Sequence, residues 1–335
     1  MVVDSNFFMN LALNEAWKYQ GLTYPNPAVG CCIVGEHGEI LALNAHRKAG
    51  EPHAEVLALR DAYFKYTNDS TILKLKSSHD IHAFLLKNSN DIFTKSTVYT
   101  TLEPCSHVGK TPSCAFLLKE LKVKKVLVGA NDFNKQAACG NELLQRSGVI
   151  VETKVLQKES NALLYPFKRF LHDNFIFFKW AQRLNGTIDD GNVSSIESRT
   201  HVHALRDVCD LLVIGGNSVR VDRPTLDARL VDGKAPDILI ISRNNDIDKT
   251  IPLFNVKGRQ VYIENNFDRL QEYKNVMIEG TATMYSLTKD IVDYYLCYVA
   301  PSFGGNVGFK NVEDRFEILN YSKENQDIIM WMKRI

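Results

Sequence analysis

Apolar side chains across residues 5–20 recur at helical spacing (Phe8, Leu11, Leu13, Ala16, Trp17), which predicts an opening helix. A continuous apolar run over 28–34 stops at Gly35. It resumes at 40–43 after the polar Glu36-His37-Gly38-Glu39, the pattern of a hairpin. Helical periodicity returns over 53–66 and places His53 and Glu55 in a first turn, where backbone N–H groups favour an anion. Residues 98–102 read as a strand leading into a polar, cysteine-containing loop. A helix over 114–121 and a strand over 125–129 follow, an alternation that predicts parallel strands covered by helices.

After a helical stretch over 161–168, Phe175-Ile176-Phe177-Phe178 opens a second β-rich region. Strand-like runs at 211–214, 238–241, 260–263, 276–278 and 294–300 alternate with helical or loop segments, which predicts a second α/β domain. The expected organisation is a first domain over 1–153, a linker helix over 154–173 and a second domain over 174–335. A polar stretch over 66–96 reads as an insertion that projects from the surface and carries a short helix near 81–86. No internal repeat or low-complexity segment interrupts this plan.

Composition narrows the partners. The 335 residues suit two domains of ordinary size, with 45% apolar and 24% charged residues. Forty basic against 39 acidic residues, interspersed and without a basic run longer than two, leave no footprint for nucleic acid. The seven cysteines are odd in number and sit mostly in apolar surroundings, the usage of a reducing compartment. The start of the chain has acid where a signal peptide needs base, and no apolar run approaches membrane-spanning length. The expectation is a soluble cytoplasmic homo-oligomer with no membrane partner.

His53-Ala54-Glu55, with Glu103-Pro104-Cys105 about fifty residues later and then Cys114, carries the most chemistry. One imidazole and two thiolates give three zinc ligands and leave a fourth tetrahedral position open, the arrangement of a catalytic site. Zinc lowers the pKa of water held there towards ~7. Glu55 is too close to His53 in sequence to be a well-aimed fourth ligand, but it can reach that water and carry its proton to a departing amine. The order H-x-E…P-C…C is that of the zinc nucleobase deaminases. Here eight residues separate the two cysteines instead of two, and the loop between them offers His107 and Lys110 as phosphate or base contacts. Pro112 suits the first turn of the helix that should present Cys114.

Glu103-Pro104-Cys105-Ser106-His107-Val108-Gly109-Lys110-Thr111-Pro112-Ser113-Cys114, with Pro25-Asn26-Pro27-Ala28-Val29-Gly30 and His46-Arg47-Lys48-Ala49-Gly50-Glu51-Pro52 upstream, resembles the deaminase half of the bifunctional riboflavin-biosynthesis deaminase–reductases. The resemblance implies a cytidine-deaminase-like three-layer domain. It places Asn26, His46, His107 and Lys110 around a phosphoribosylaminopyrimidine, and it marks 66–96 as longer than the family's usual crossing. The second half offers weaker local signals on its own. Val213-Ile214-Gly215-Gly216 is a strand entering a glycine turn, without the full dinucleotide fingerprint. Asp222 to Arg229 is a charged turn with two arginines suited to phosphate.

Lys179-Trp180-Ala181-Gln182-Arg183-Leu184-Asn185-Gly186, His203-Ala204-Leu205-Arg206, Ser218 through Arg229, and Glu279-Gly280-Thr281 together resemble the reductase half, whose fold is similar to dihydrofolate reductase. That resemblance implies NADPH at Gln182, Asn192, Ser218, Asp222 and Ser242, and around Thr281, Ala282, Thr283, Met284, Tyr285, Ser286 and Leu287. It implies substrate contacts at Arg206, Leu226, Arg229 and Glu279. Arg183 and Asn185 stand where the family has Ser and Asp, and Asn192 where it has Trp. The implied function is zinc-dependent deamination of a phosphoribosylaminopyrimidine, then NADPH-dependent reduction of its ribosyl group. Two alternatives stand beside it: an active deaminase whose second domain only binds or assembles, and a nucleic-acid-editing deaminase, which the balanced charge disfavours.

Overall fold

The computed structural model describes residues 4–107, 109, 111–133, 139–189, 191–244, 246–309 and 312–335. The chain divides into two compact units, one ending at Leu171 and the other running His172–Ile335.

The first unit opens with α1 (Ser5–Trp17), capped by Asp4, whose carboxylate accepts from the Phe7 amide at 3.1 Å. Strands β1 (Gly30–Val34) and β2 (Ile40–Ala45) form the expected antiparallel hairpin. A Cβ on Gly30 would lie 1.9 Å from the Ala12 carbonyl, so only glycine lets α1 lie this close to β1. Helix α2 (Ala54–Thr67) follows, then a 3₁₀ turn (Ser70–Lys74), α3 (Ser78–Asn88), β3 (Thr97–Leu102), α4 (Cys114–Glu120), β4 (Lys125–Ala130), α5 (Gly140–Arg146), β5 (Ile150–Thr153) and α6 (Gln157–His172). Among the described residues the sheet order is β2-β1-β3-β4-β5, with β1 antiparallel to both neighbours and β3, β4 and β5 parallel.

Two expectations change here. The 66–96 segment does not project: Ile72, Ile81, Leu85 and Phe93 are fully buried in the core shared with α2 and α4. Polar residues cover only the outer side of α3, so the apolar minority decides the packing. Helix α6 is longer than its predicted kernel. Leu163 and Leu164 are buried, and the Gln20 amide donates to the Leu163 carbonyl at 2.6 Å, which ties this would-be linker to the first unit.

In the second unit, β6 (Phe175–Arg183) is a buried central strand. Next come α7 (Ile196–Val208), β7 (Leu211–Gly215), α8 (Gly216–Asp222), β8 (Asp237–Ile241), β9 (Val261–Glu264), β10 (Asn275–Glu279), α9 (Ala282–Thr288) and β11 (Tyr294–Ala300). The chain closes with the antiparallel pair β12 (Phe316–Glu324) and β13 (Asp327–Arg334), which the sequence reading had not predicted. The order is β12-β13-β11-β6-β10-β7-β8-β9, parallel from β11 to β9. Phe178, Val213, Ile278 and Tyr295 anchor its core. Ile214 and Glu279 therefore stand at or near the carboxyl ends of adjacent parallel strands, where open α/β sheets bind ligands, and Lys179, midway along β6, lies in register with Glu279.

Candidate active sites

In the first unit, α2 and α4 start beside one another. His53 is the N-cap of α2, yet its ring does not cap the helix; it turns towards the two sulfurs instead. Ser113 caps α4 and its hydroxyl also donates to the Cys105 carbonyl at 2.7 Å, which fixes the cysteine loop against the helix start. Pro112 lies one residue before this cap, so it precedes the first turn that the sequence assigned to it. The His53 Nδ1 atom lies 3.7 Å from Cys105 Sγ and 3.4 Å from Cys114 Sγ. Tetrahedral zinc with Zn–S of about 2.3 Å and Zn–N of about 2.05 Å requires N···S of about 3.5 Å. The triad fits that ion, with all three ligand atoms within 4.8 Å of one another.

The two thiols are electrostatically unequal. The Cys105 thiol is drawn down to about 4, chiefly by its hydrogen bond with Cys114, and Cys114 is pushed up by the same contact and by burial. Burial opposes charge on His53, but the Cys105 hydrogen bond and negative charge outweigh it and raise its pKa. Glu55, only 4% exposed, is held at about 7 by burial, partly offset by His53. A carboxyl near neutrality can both accept and return a proton at working pH.

His53, Glu55 and Cys105 line a cavity of about 400 Å³ with Asn26, His46, Glu51, His107 and Thr111. Asn26 Nδ2 lies 3.1 Å from His46 Nε2, and His46 Nδ1 lies 3.1 Å from the Pro52 carbonyl. Burial lowers His46 to about 4, so it is neutral, with Nδ1–H donating to Pro52 and Nε2 accepting from Asn26. Lys110 lies outside the described residues. Asp132 and Phe167 also line the cavity; the sequence reading had singled out neither, and Phe167 comes from α6. Glu103 organises one wall: its carboxylate accepts from the amides of Asp132, Cys139 and Asn141 at 3.0–3.2 Å.

The second unit holds a more polar cavity of about 610 Å³ at the strand ends. Asn192, Ser218, Asp222, Thr281, Arg206, Leu226, Arg229 and Glu279 line it, as do Lys179, Arg199 and His203, which the sequence reading had not assigned to the site. Gln182 and Ser242 lie outside this lining; Gln182 accepts from Trp180 Nε1, and the Ser242 hydroxyl accepts from Arg220 and donates to the Asn244 carbonyl. Of the 281–287 run only Thr281 lines the cavity. Met284 and Tyr285 point into the core because they fall on the inner face of α9, and the Tyr285 hydroxyl donates to Asp314.

Arg206 Nη2 donates to Glu279 Oε1 at 2.9 Å, and Lys179 Nζ sits 3.8 Å from Glu279 Oε2. Burial works against the Glu279 charge, but Arg206 and Lys179 prevail and hold it at about 2. Arg259 braces the opposite wall, donating to the carbonyls of Leu226 and Thr225 at 2.7 Å and of Leu253 at 2.5 Å. Leu226 has φ of 55°, a left-handed backbone that a branched residue adopts only where its surroundings impose it.

The fold and the two sites define a zinc-deaminase unit joined to a unit of reductase type. The family "Cytidine and deoxycytidylate deaminase zinc-binding region" matches residues 3–130, and "RibD C-terminal domain" matches residues 174–325. The chain is 29% identical over 383 aligned positions to the riboflavin biosynthesis protein RibD of Aquifex aeolicus, covering 99% of each. It is 28% identical to the Mycobacterium tuberculosis protein of the same name, covering 96% of this chain and 95% of that one. A Thermotoga maritima diaminohydroxyphosphoribosylaminopyrimidine deaminase/5-amino-6-(5-phosphoribosylamino)uracil reductase matches at a TM-score of 0.65 and 24% identity over 98% of each chain, a likeness of fold. The chain belongs to the bifunctional riboflavin-biosynthesis deaminase–reductase family. Its first unit is a zinc-binding deaminase domain with its metal site at His53, Cys105 and Cys114, and its second is of the NADPH-dependent reductase type.

Proposed function

We propose that the chain catalyses two successive steps of riboflavin biosynthesis. It deaminates 2,5-diamino-6-(5-phosphoribosylamino)pyrimidin-4-one and then reduces the ribosyl group of the product, 5-amino-6-(5-phosphoribosylamino)uracil, to ribityl. The observation that carries this reading is the His53–Cys105–Cys114 triad beside a buried carboxyl poised at about 7. We assign residues 1–153 to deamination and 174–335 to reduction, with 154–173 between them. His53, Cys105 and Cys114 would hold zinc, which would supply Lewis acidity to a water molecule there. Glu55 accepts a proton at its carboxylate and returns it to the departing amine, and His46, kept neutral by burial, orients Asn26 towards the pyrimidine. His107 and Lys110 complete that pocket in this reading.

In the second cavity Asn192, Ser218, Asp222 and Thr281 would hold NADPH, which would supply a hydride there. Arg229, Leu226 and the Arg206–Glu279–Lys179 cluster face the substrate. Glu279 is held ionised and the cluster is largely buried, so it can orient a polar sugar without rearranging. Among the described residues no helix is long and apolar enough to cross a membrane. All seven cysteines are free, in keeping with a cytoplasmic enzyme that takes small molecules and not nucleic acid, and we expect a homo-oligomer.

A coupled assay tests the reading: ammonia release from the diaminopyrimidine, followed by NADPH oxidation. Glu55→Gln should keep zinc and lose about 10²–10⁴-fold in deamination while leaving reduction of the deaminated compound intact. Wild-type protein that releases ammonia but never consumes NADPH would reduce the second unit to a binding module.

A further inference from the structure

The cations around the second cavity are unequal. Lys179 and Arg206 share Glu279, Arg223 pairs with Asp248 at 2.7 Å, and Arg229 pairs with Asp227 at 2.6 Å. Burial lowers His203 to about 4, so it carries no charge near neutrality. Arg199 differs from all of these. It projects from α7 on the face that also turns Val202, His203 and Arg206 to the cavity, the i, i+3, i+4, i+7 stripe of a helix. No acidic partner meets its guanidinium among the described residues, and its Nε is buried without a hydrogen-bond acceptor.

The Nε itself is closed to a ligand, so the Nη groups, which meet no carboxylate among the described residues, are the donors that the cavity leaves for an incoming acceptor. The planar fork of arginine matches the paired oxygens of a phosphate. We propose that Arg199 is the phosphate-receiving cation of this cavity and takes the phosphomonoester of the ligand bound there. The inference rests on the reading of this site as a reductase site. Two phosphomonoesters would reach such a site: the 5-phosphate of the ribosyl substrate and the 2′-phosphate that distinguishes NADPH from NADH.

The experiment uses the full chain, with Arg199→Gln and Arg199→Lys, and reads equilibrium affinity by calorimetry. The probes are NADPH, NADH, 5-amino-6-(5-phosphoribosylamino)uracil and its dephosphorylated nucleoside. Arg199→Gln should weaken one phosphorylated probe by roughly 10- to 100-fold and its unphosphorylated counterpart by less than about two-fold. Which pair separates identifies the phosphate. Arg199→Lys keeps charge and stem but not the paired N–H groups, so it should show a smaller loss on the same probe. It also serves as the test if Arg199→Gln does not fold. Equal affinities in wild type and a folded variant for all four probes would overturn the proposal. Wild-type protein that binds neither phosphorylated probe would instead remove the reductase reading beneath it.

Discussion

Replacing Glu279 by Gln removes the one carboxylate that neutralises both Arg206 and Lys179, whose side chains are only 11% and 14% exposed. The folded carboxyl sits at about 2, against roughly 4.3 for a free glutamate, and about 1.4 kcal/mol per pH unit turns that gap into about 3 kcal/mol. Because the folded value is the lower one, this stabilisation is complete above the unfolded pKa and fades as pH falls towards 2. Breaking a buried pair by removing one partner costs about 3–5 kcal/mol, which agrees in size. Hydrogen–deuterium exchange of the β6 and β10 amides reads this unit separately from the first. If exchange there proceeds through global opening, Glu279→Gln should accelerate it about 100-fold or more at pH 7, and the ratio to wild type should shrink to roughly ten-fold at pH 3. A ratio below about five at pH 7, or one unchanged at pH 3, would show that the cluster does not hold the unit together.

Cys105→Ser should lose zinc and ammonia release together; metal analysis showing full zinc in that variant would remove Cys105 from the ligand set. In chelator-stripped protein, Cys105, which lines the cavity, should be alkylated before Cys114, which is buried away from it, and restored zinc should protect both. Peptide mapping that finds Cys114 modified first would reverse that order. Arg259→Lys cannot reach three carbonyls at once, so it should lower thermal stability and weaken binding of the phosphoribosyl substrate while leaving ammonia release unchanged. An unchanged substrate affinity would mean that the left-handed turn at Leu226 stands without the clamp.

The metal site was legible because its chemistry needs few residue types at fixed places. His53, Glu55, Cys105 and Cys114 are named by spacing, and the starts of α2 and α4 together with the loop after β3 bring them together. The strands of both sheets were legible where burial on both faces gives unbroken apolar runs, as in β1 and β6. The closing pair β12 and β13 was missed because β12 is an edge strand whose residues are at most half-buried. Its signal is weak alternation, although Ile329, Trp331 and Met332 on β13 carried a readable apolar pattern. Phe167 was hidden for another reason: no local pattern states that a helix far along the chain will form the wall of the first cavity. The 281–287 run shows the limit of carrying a motif over as a block, since a helix turns Met284 and Tyr285 away from Thr281.

The burial of Ile72, Ile81, Leu85 and Phe93 bears on how this enzyme tolerates trimming. Each such side chain contributes roughly 1.5–3 kcal/mol by leaving water. Cutting the segment back to a short crossing would therefore open a hole beside α2 and α4. The starts of these helices present two of the three metal ligands, His53 and Cys114, so an edit that looks like surface tidying would loosen the grip on zinc. Substitutions at these four positions should therefore cost what core substitutions cost.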